Sequence, residues 1–206
     1  GLAYPCYDVH GQDSDILDQV WDVEFEGNKQ YSNLVLSRQI ATEGPTFWEK
    51  LKFWNRTGHE LSQIELKKDV IRLRNYYQRR GYVNINISYT VNTGNRDWKK
   101  KVVFEVDENV PIRITNLKYS INTKERNAQE IRESRSFQNA QRRHAYQEGN
   151  RYETIKEPEV VGRFSDMLKN LGYAYANVNV HAKVDTASLS AEVTINCMAG
   201  PKTYID

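Results

Sequence analysis

Residues 70–82 read VIRLRNYYQRRGY and residues 161–173 read VGRFSDMLKNLGY, so Val70, Leu73, Tyr77, Gly81 and Tyr82 fall on Val161, Phe164, Leu168, Gly172 and Tyr173 at a constant offset of 91. A repeat of that period in a chain of 206 residues describes two copies of one small domain, each with its own core. In the first copy Leu66, Val70, Leu73 and Tyr77 recur at helical spacing on one face, while Arg72, Arg74, Gln78 and Arg79 take the solvent side. Ser62 and Glu65 have the spacing of a capping box, as have Thr154 and Glu157 in the second copy, where Pro158 is tolerable only in the first turn. Gly81 and Gly172 are the residues expected to end each helix in the left-handed conformation.

Strict alternation follows each glycine. Val83, Ile85, Ile87, Tyr89 and Val91 interleave with polar residues, and Ala174, Ala176, Val178, Val180, Ala182 and Val184 do the same in the second copy, the pattern of a strand with one buried and one wet face. Turn residues Thr93–Asn95 and Asp185–Ser188 then lead into second strands over 101–107 and 189–196. Ahead of each main helix stand another strand (Trp21, Val23 and Phe25; Ile112, Ile114, Leu117, Tyr119 and Ile121) and a shorter helix. The first short helix is expected to follow a Ser32 cap with Leu36 and Ile40 inward, and the second, over 125–140, to be anchored by Ile131, Phe137 and Ala140. The order strand, helix, helix, strand, strand predicts an α+β fold in which two helices pack on a three-stranded mixed sheet, twice in tandem. The expected organisation is a flexible tail over 1–17, a first domain over 18–110 with an aromatic insertion at 45–60, and a second domain over 111–201. Pro201 repeats the place of Pro111, so residues 202–206 are read as the start of a following domain.

Lys plus Arg number 29 against 27 Asp plus Glu, a net charge of +2 that lacks the basic footprint of a nucleic-acid binder. No apolar run is long enough to cross a bilayer as a helix. Cys6 and Cys197 exclude a disulfide-dense scaffold and a four-cysteine zinc site, and Pro5 before Cys6 argues against lipidation there. A chain opening at Gly1 reads as a fragment whose targeting segment has been removed. His10, His59, His144 and His181 are scattered without metal-ligand spacing, and Asp13, Asp15 and Asp18 lack the glycine and glutamate of a calcium loop. No phosphate-cradling loop or nucleophile elbow occurs, so catalytic residues, metal and cofactor are all expected to be none.

The chain resembles the POTRA domains of the BamA/TamA outer-membrane protein assembly superfamily. The resemblance is carried by Phe25-Glu26-Gly27-Asn28, Ser32, Ile40-Ala41-Thr42-Glu43-Gly44, Asp69, Arg72-Leu73, Tyr77, Arg80-Gly81-Tyr82 and Val103-Phe104-Glu105-Val106-Asp107-Glu108, strongly in the first copy and more weakly in the second. It implies the periplasmic portion of a bacterial outer-membrane protein whose C-terminal membrane β-barrel lies outside this fragment. The partners it implies are unfolded outer-membrane proteins and accessory assembly lipoproteins, with no nucleic acid.

Client binding by POTRA domains of this kind is implied to be strand addition, in which a sheet edge offers unpaired amides and carbonyls to an extended chain. The candidate edges are Val83, Ile85, Ile87, Tyr89 and Val91, and Ala176, Val178, Val180 and Ala182, whose outward neighbours are mostly Asn, Ser, Thr and His, with Lys183 the obvious gatekeeper. An ordinary wet sheet face is the competing reading. Phe47, Trp48, Phe53 and Trp54 form an aromatic group that either faces a neighbouring domain or membrane or caps its own core. Arg142-Arg143-His144 reads as a solvated loop, and Arg79-Arg80 as partners of a helix C-terminus. The alternative function is a structural spacer or hinge of an outer-membrane translocation or secretion pore with no client binding.

Overall fold

The computed structural model describes residues 17–45 and 59–203. The elements in chain order are β1 (Gln19–Glu26), α1 (Asn33–Ser37), α2 (Gln63–Gln78), β2 (Asn86–Thr93) and β3 (Lys99–Asp107), then β4 (Arg113–Asn122), α3 (Glu125–Glu133), α4 (Arg135–Arg143), a 3-10 turn (Thr154–Lys156), α5 (Glu157–Asn170), β5 (Asn177–Asp185) and β6 (Ser190–Met198). They form two three-stranded sheets, ordered β1-β3-β2 and β4-β6-β5. β1 runs parallel to β3 from Gln19 beside Lys99 to Glu26 beside Glu105, and β4 runs parallel to β6 from Arg113 beside Ser190 to Asn122 beside Met198. β5 pairs antiparallel with β6, Asn177 facing Met198 and Asp185 facing Ser190. The α+β architecture of two tandem mixed sheets with helices is therefore the one the sequence predicts.

The chain packs as two compact units, Gly1–Ile71 with Ser88–Glu105, and Arg72–Ile87 with Val106–Asp206. In the first, Val20, Phe25, Leu36, Leu66 and Phe104 are buried, and the Phe25 and Phe104 rings stack at 5.5 Å. Asp69 of α2 is fully buried, and its two carboxylate oxygens accept from the amides of Ala41 and Thr42 at 2.8 and 2.9 Å. A buried charge is tolerable when both oxygens are hydrogen-bonded, and here it ties the segment after α1 to the main helix.

In the second unit one core joins the helices to the sheet: Ile131 of α3, Phe137 and Ala140 of α4, Val160, Phe164 and Leu168 of α5, and Val193 and Ile195 of β6. The three residues expected to anchor the polar stretch 125–140 are all buried, but that stretch is two helices. Ser134 explains the break: its backbone is extended, and its hydroxyl donates to the Ile131 carbonyl at 2.7 Å and accepts from the Phe137 amide at 3.1 Å, closing one helix and capping the next.

The other expected caps divide. The Ser62 hydroxyl accepts from the Glu65 amide at 3.3 Å. Ser32 occupies the N-cap position of α1 without a side-chain capping bond, and Thr154 turns its hydroxyl to the Arg79 carbonyl at 3.3 Å, leaving α5 to start at Glu157 with Pro158 in its first turn. Gly81 and Gly172 both adopt the left-handed conformation, with φ of 91° and 92°.

Candidate binding edges

Each three-stranded sheet has two edges, and the two are treated differently. The outer edge of β1 is met near its start by the segment ahead of α2: the Val20 amide donates to the His59 carbonyl at 2.7 Å, and the Leu61 amide donates to the Asp18 carbonyl at 2.9 Å. The outer edge of β4 is met in the same way by the segment ahead of α5, Ile114 N–H donating to Asn150 at 2.9 Å and Tyr152 N–H to Ile112 at 3.0 Å. These bonds correspond one to one, the strand residues differing by 94 (Val20 to Ile114) and the pre-helix residues by 91 (His59 to Asn150). Gly149 and the Glu148 carboxylate extend the closure, the first donating to Ile114 at 2.8 Å and the second accepting from the Leu117 amide at 3.0 Å.

Since 94 − 91 = 3, the stretch between strand and pre-helix segment is only three residues longer in the first copy than in the second. Counted back from the pre-helix segment, residues 45–60 correspond in sequence number to 136–151, at the offset of 91. Phe47, Trp48, Phe53 and Trp54 lie outside the described residues, as do the tail over 1–16 and residues 204–206.

β2 and β5 are the opposite edges, and among the described residues no strand lies beyond either. Ile87, Tyr89 and Val91 lie in β2, and Val178, Val180 and Ala182 lie in β5. Val83, Ile85 and Ala176 do not belong to a strand. A turn follows each helix-ending glycine, closed by Ile85 N–H to the Tyr82 carbonyl at 3.4 Å and by Ala176 N–H to the Tyr173 carbonyl at 3.1 Å, so the strands start at Asn86 and Asn177. Val83 and Ala176 pack against the core of the second unit.

Side chains on the inner face of β5 become progressively less buried, from Val178 through half-buried Val180 and Ala182 to exposed Val184. Its outward face carries Asn177, Asn179, His181, Lys183 and Asp185, with the Asn196 amide donating to Asn179 at 3.0 Å and Lys183 facing Glu192 across the ladder. In β2, Tyr89 donates to the Gln63 side chain at 3.0 Å and Ser88 to Glu105 at 3.1 Å, which steadies the side chains without using the strand's outer backbone. The β5–β6 ladder runs without a register shift, neither β2 nor β5 contains proline, and the charged residues of β5 are Lys183 and Asp185 near its end.

Two basic clusters resolve into structure. Arg80 lies over the Tyr76 ring at 3.6 Å and donates to the Tyr76 carbonyl at 3.0 Å, serving the end of α2 as expected. Arg142 and Arg143 are exposed, but His144 is not part of a solvated loop: it is 5% exposed, with its ring 5.3 Å from Phe164 and 5.9 Å from Tyr119. Its Nδ1 accepts from the Tyr146 amide at 3.2 Å, which leaves Nε2–H to donate to the Tyr119 hydroxyl at 2.7 Å. Burial first, and then the charge of Arg163, push its pKa down to about 4, with Glu159 opposing. Burial likewise raises Tyr119 to about 12 and Cys197 to about 12, so both remain protonated and inert at neutral pH.

Residues 19–109, which hold the first sheet and its helices, match the POTRA family, described as a surface antigen variable number repeat. The match covers the first copy of the repeat, and the second sheet, β4-β6-β5, repeats the arrangement of the first. It is 22% identical over 189 residues to the outer membrane protein assembly factor BamA of Neisseria meningitidis serogroup B (strain ATCC BAA-335 / MC58), covering 91% of this chain and 22% of that protein. It thus spans about a fifth of the length of that curated relative. Among solved structures, POTRA3-5 of Haemophilus influenzae BamA is similar with 20% identity over 90% of this chain and 67% of that one, at a TM-score of 0.44. POTRA1-3 of the periplasmic domain of Anabaena Omp85 is similar with 16% identity over 92% and 66%, at a TM-score of 0.36.

Proposed function

We propose that β2 and β5 are docking edges for extended polypeptide, and that through them this periplasmic POTRA pair binds and guides unfolded outer-membrane proteins toward a membrane β-barrel carried by the same chain. The observation that supports the reading most is the asymmetry of the edges. Both parallel edge strands spend backbone hydrogen bonds on a pre-helix segment at matching positions, whereas β2 and β5 are the last strands of their sheets among the described residues. An added strand gains main-chain hydrogen bonds from the edge and specificity from alternate side chains, which suits clients that share a β pattern rather than a sequence. We take the domains as 18–110 and 111–201, and accessory lipoproteins as further partners of the same array.

The test is a backbone-amide NMR titration with peptides copied from outer-membrane barrel strands and with proline-substituted versions of them. The expected result is shifts confined to Asn86–Thr93 and Asn177–Asp185 that proline in the peptide abolishes. Absence of shifts at the solubility limit of the peptides refutes strand addition and leaves the spacer role.

A further inference from the structure

Strand addition uses the sheets and leaves the helix layer of the second unit without a role. Between α4 and α5 runs a groove of about 570 Å³, lined by Ser136, Asn139 and Arg143 of α4 and by Glu159, Gly162 and Asp166 of α5, with Ala140 and Met167 buried behind them. Each set recurs every three or four residues, so each helix turns one face to the groove. The α5 wall extends from Pro158 to Asn170, about 18 Å at the rise of a helix.

Gly162 stands in the interior of α5, where glycine costs a helix more than any residue but proline. The fold supplies no steric reason for it, because a Cβ there would meet nothing within 4 Å. The missing side chain leaves the α5 backbone open to close approach in the middle of the groove. The two walls differ in charge. α4 carries Arg135, Arg142 and Arg143 without an acid, and all three are exposed and make no ion pair among the described residues. The α5 wall carries exposed Asp166, likewise unpaired among the described residues, and Glu159, whose ion pairs with Arg163 and Lys156 are long at 3.8 and 3.9 Å. Ser136 and Asn139 make no side-chain hydrogen bond among the described residues, so they are free to bond an incoming group.

We infer that this groove is the docking site for an amphipathic helix of another protein, one that turns glutamate or aspartate toward α4 and lysine or arginine toward Glu159 and Asp166. A groove between two helices presents side chains and no unpaired main chain, so an extended segment gains no ladder there, whereas a helix seats its anchors at i, i+3, i+4 and i+7. The length of the α5 wall accommodates about three turns of such a helix, and Gly162 lets its backbone come near. Charge complementarity fixes the partner's chemistry: an anionic bilayer surface would gain Arg142 and Arg143 but be repelled by Glu159 and Asp166, while a helix can meet each wall with the opposite sign. This inference is independent of strand addition, which concerns the backbone of β2 and β5.

The test is a backbone-amide NMR titration of the 206-residue chain with a designed alanine-based helical peptide of about 14 residues, bearing glutamates on one flank and lysines on the other. Two control peptides replace the glutamates by glutamine or by lysine, and phosphatidylglycerol vesicles are a further arm. Shifts are expected at residues 135–143 and 157–170, with binding about tenfold weaker for the glutamine peptide. Joint replacement Arg142→Glu and Arg143→Glu should transfer the preference to the all-lysine peptide. Gly162→Gln should abolish binding while raising the urea midpoint, which separates a filled groove from a damaged fold. The inference is overturned by absence of shifts at millimolar peptide, by equal binding of the glutamine peptide, by binding that Gly162→Gln leaves unchanged, or by groove shifts with vesicles alone. Strand addition is read at residues 86–93 and 177–185, so either reading can fail without the other.

Discussion

His144 gives the sharpest energetic prediction. Its neutral ring is held by one bond at each nitrogen, accepting from the Tyr146 amide and donating to Tyr119, inside a cluster that includes Phe137 and Phe164. A proton arriving at Nδ1 meets an amide N–H, so protonation costs a hydrogen bond as well as burying a charge beside Arg163. The folded pKa is about 4 against 6.5 for the free side chain, and the unfolded chain therefore binds the extra proton between those values. Stability from this group is complete above the unfolded value, falls as pH drops below it, and reaches its full loss of about 3 kcal/mol below the folded value, at 1.36 kcal/mol per pKa unit. By about pH 4.5 the loss is about 2.5 kcal/mol. His144→Asn keeps an acceptor for the amide two residues on but has no titrating ring, and loses aromatic contacts worth about 2 kcal/mol near neutrality. The assay is urea unfolding followed residue by residue through the β6 amides, at about pH 7.5 and about pH 4.5, for both proteins. The difference between them should move by about 2.5 kcal/mol against the unsubstituted protein in acid, enough to cancel or slightly reverse it. A gap unchanged within about 0.5 kcal/mol refutes the assignment of His144 as a buried neutral base.

The remaining predictions concern the joints and ties of the fold. Gly81→Ala imposes a left-handed alanine and places its Cβ at 2.7 Å from backbone, whereas Gly172→Ala meets nothing nearer than 3.4 Å. Chemical denaturation should show a loss of about 2–3 kcal/mol for the first and about 1 kcal/mol for the second. Asp69→Ala strands the amides of Ala41 and Thr42 and should cost about 2–4 kcal/mol, with Asp69→Asn recovering part because it retains one acceptor, both read from urea midpoints. Ser134→Ala removes the shared cap of α3 and α4 and should lower stability by about 1 kcal/mol, with hydrogen exchange rising first in the initial turn of α4.

The parts of the fold that could be read from sequence are those fixed by local backbone chemistry. Gly81 and Gly172 announce themselves because a left-handed helix end is cheap only for glycine, and Phe164 and Leu168 because helical spacing requires a buried face. What escaped was set by residues distant in sequence. His144 follows two arginines and looks solvated, and its burial is decided by Tyr119 and Phe164, which approach only in the folded sheet and helix. Thr154 has the spacing of a cap, but the Arg79 carbonyl competes successfully for its hydroxyl. The candidate edges begin at Val83, three residues ahead of β2, and at Ala176, one residue ahead of β5, because hydrophobic alternation runs unbroken through the turns at Tyr82–Ile85 and Tyr173–Ala176, and a turn closed by one backbone hydrogen bond leaves no mark on that pattern.

Those two turns also bear on where an incoming strand can pair. In each copy the chain leaves the helix, makes the turn, and enters the edge strand only at Asn86 or Asn177, so the available ladder begins beyond the turn rather than within it. The nine residues of β5 and eight of β2 are long enough to hold a strand of the usual length. On β4, by contrast, the pre-helix segment occupies the beginning of the outer edge from Ile112 to Leu117, so a pairing strand there would have to displace backbone bonds already made before gaining its own. An exchange of one ladder for another yields little net free energy, whereas pairing at β5 replaces only hydrogen bonds to water and covers Val180, Ala182 and Val184 as well. In the proposed strand addition, that difference favours one edge per domain through backbone geometry, which leaves the sequence of the client unconstrained.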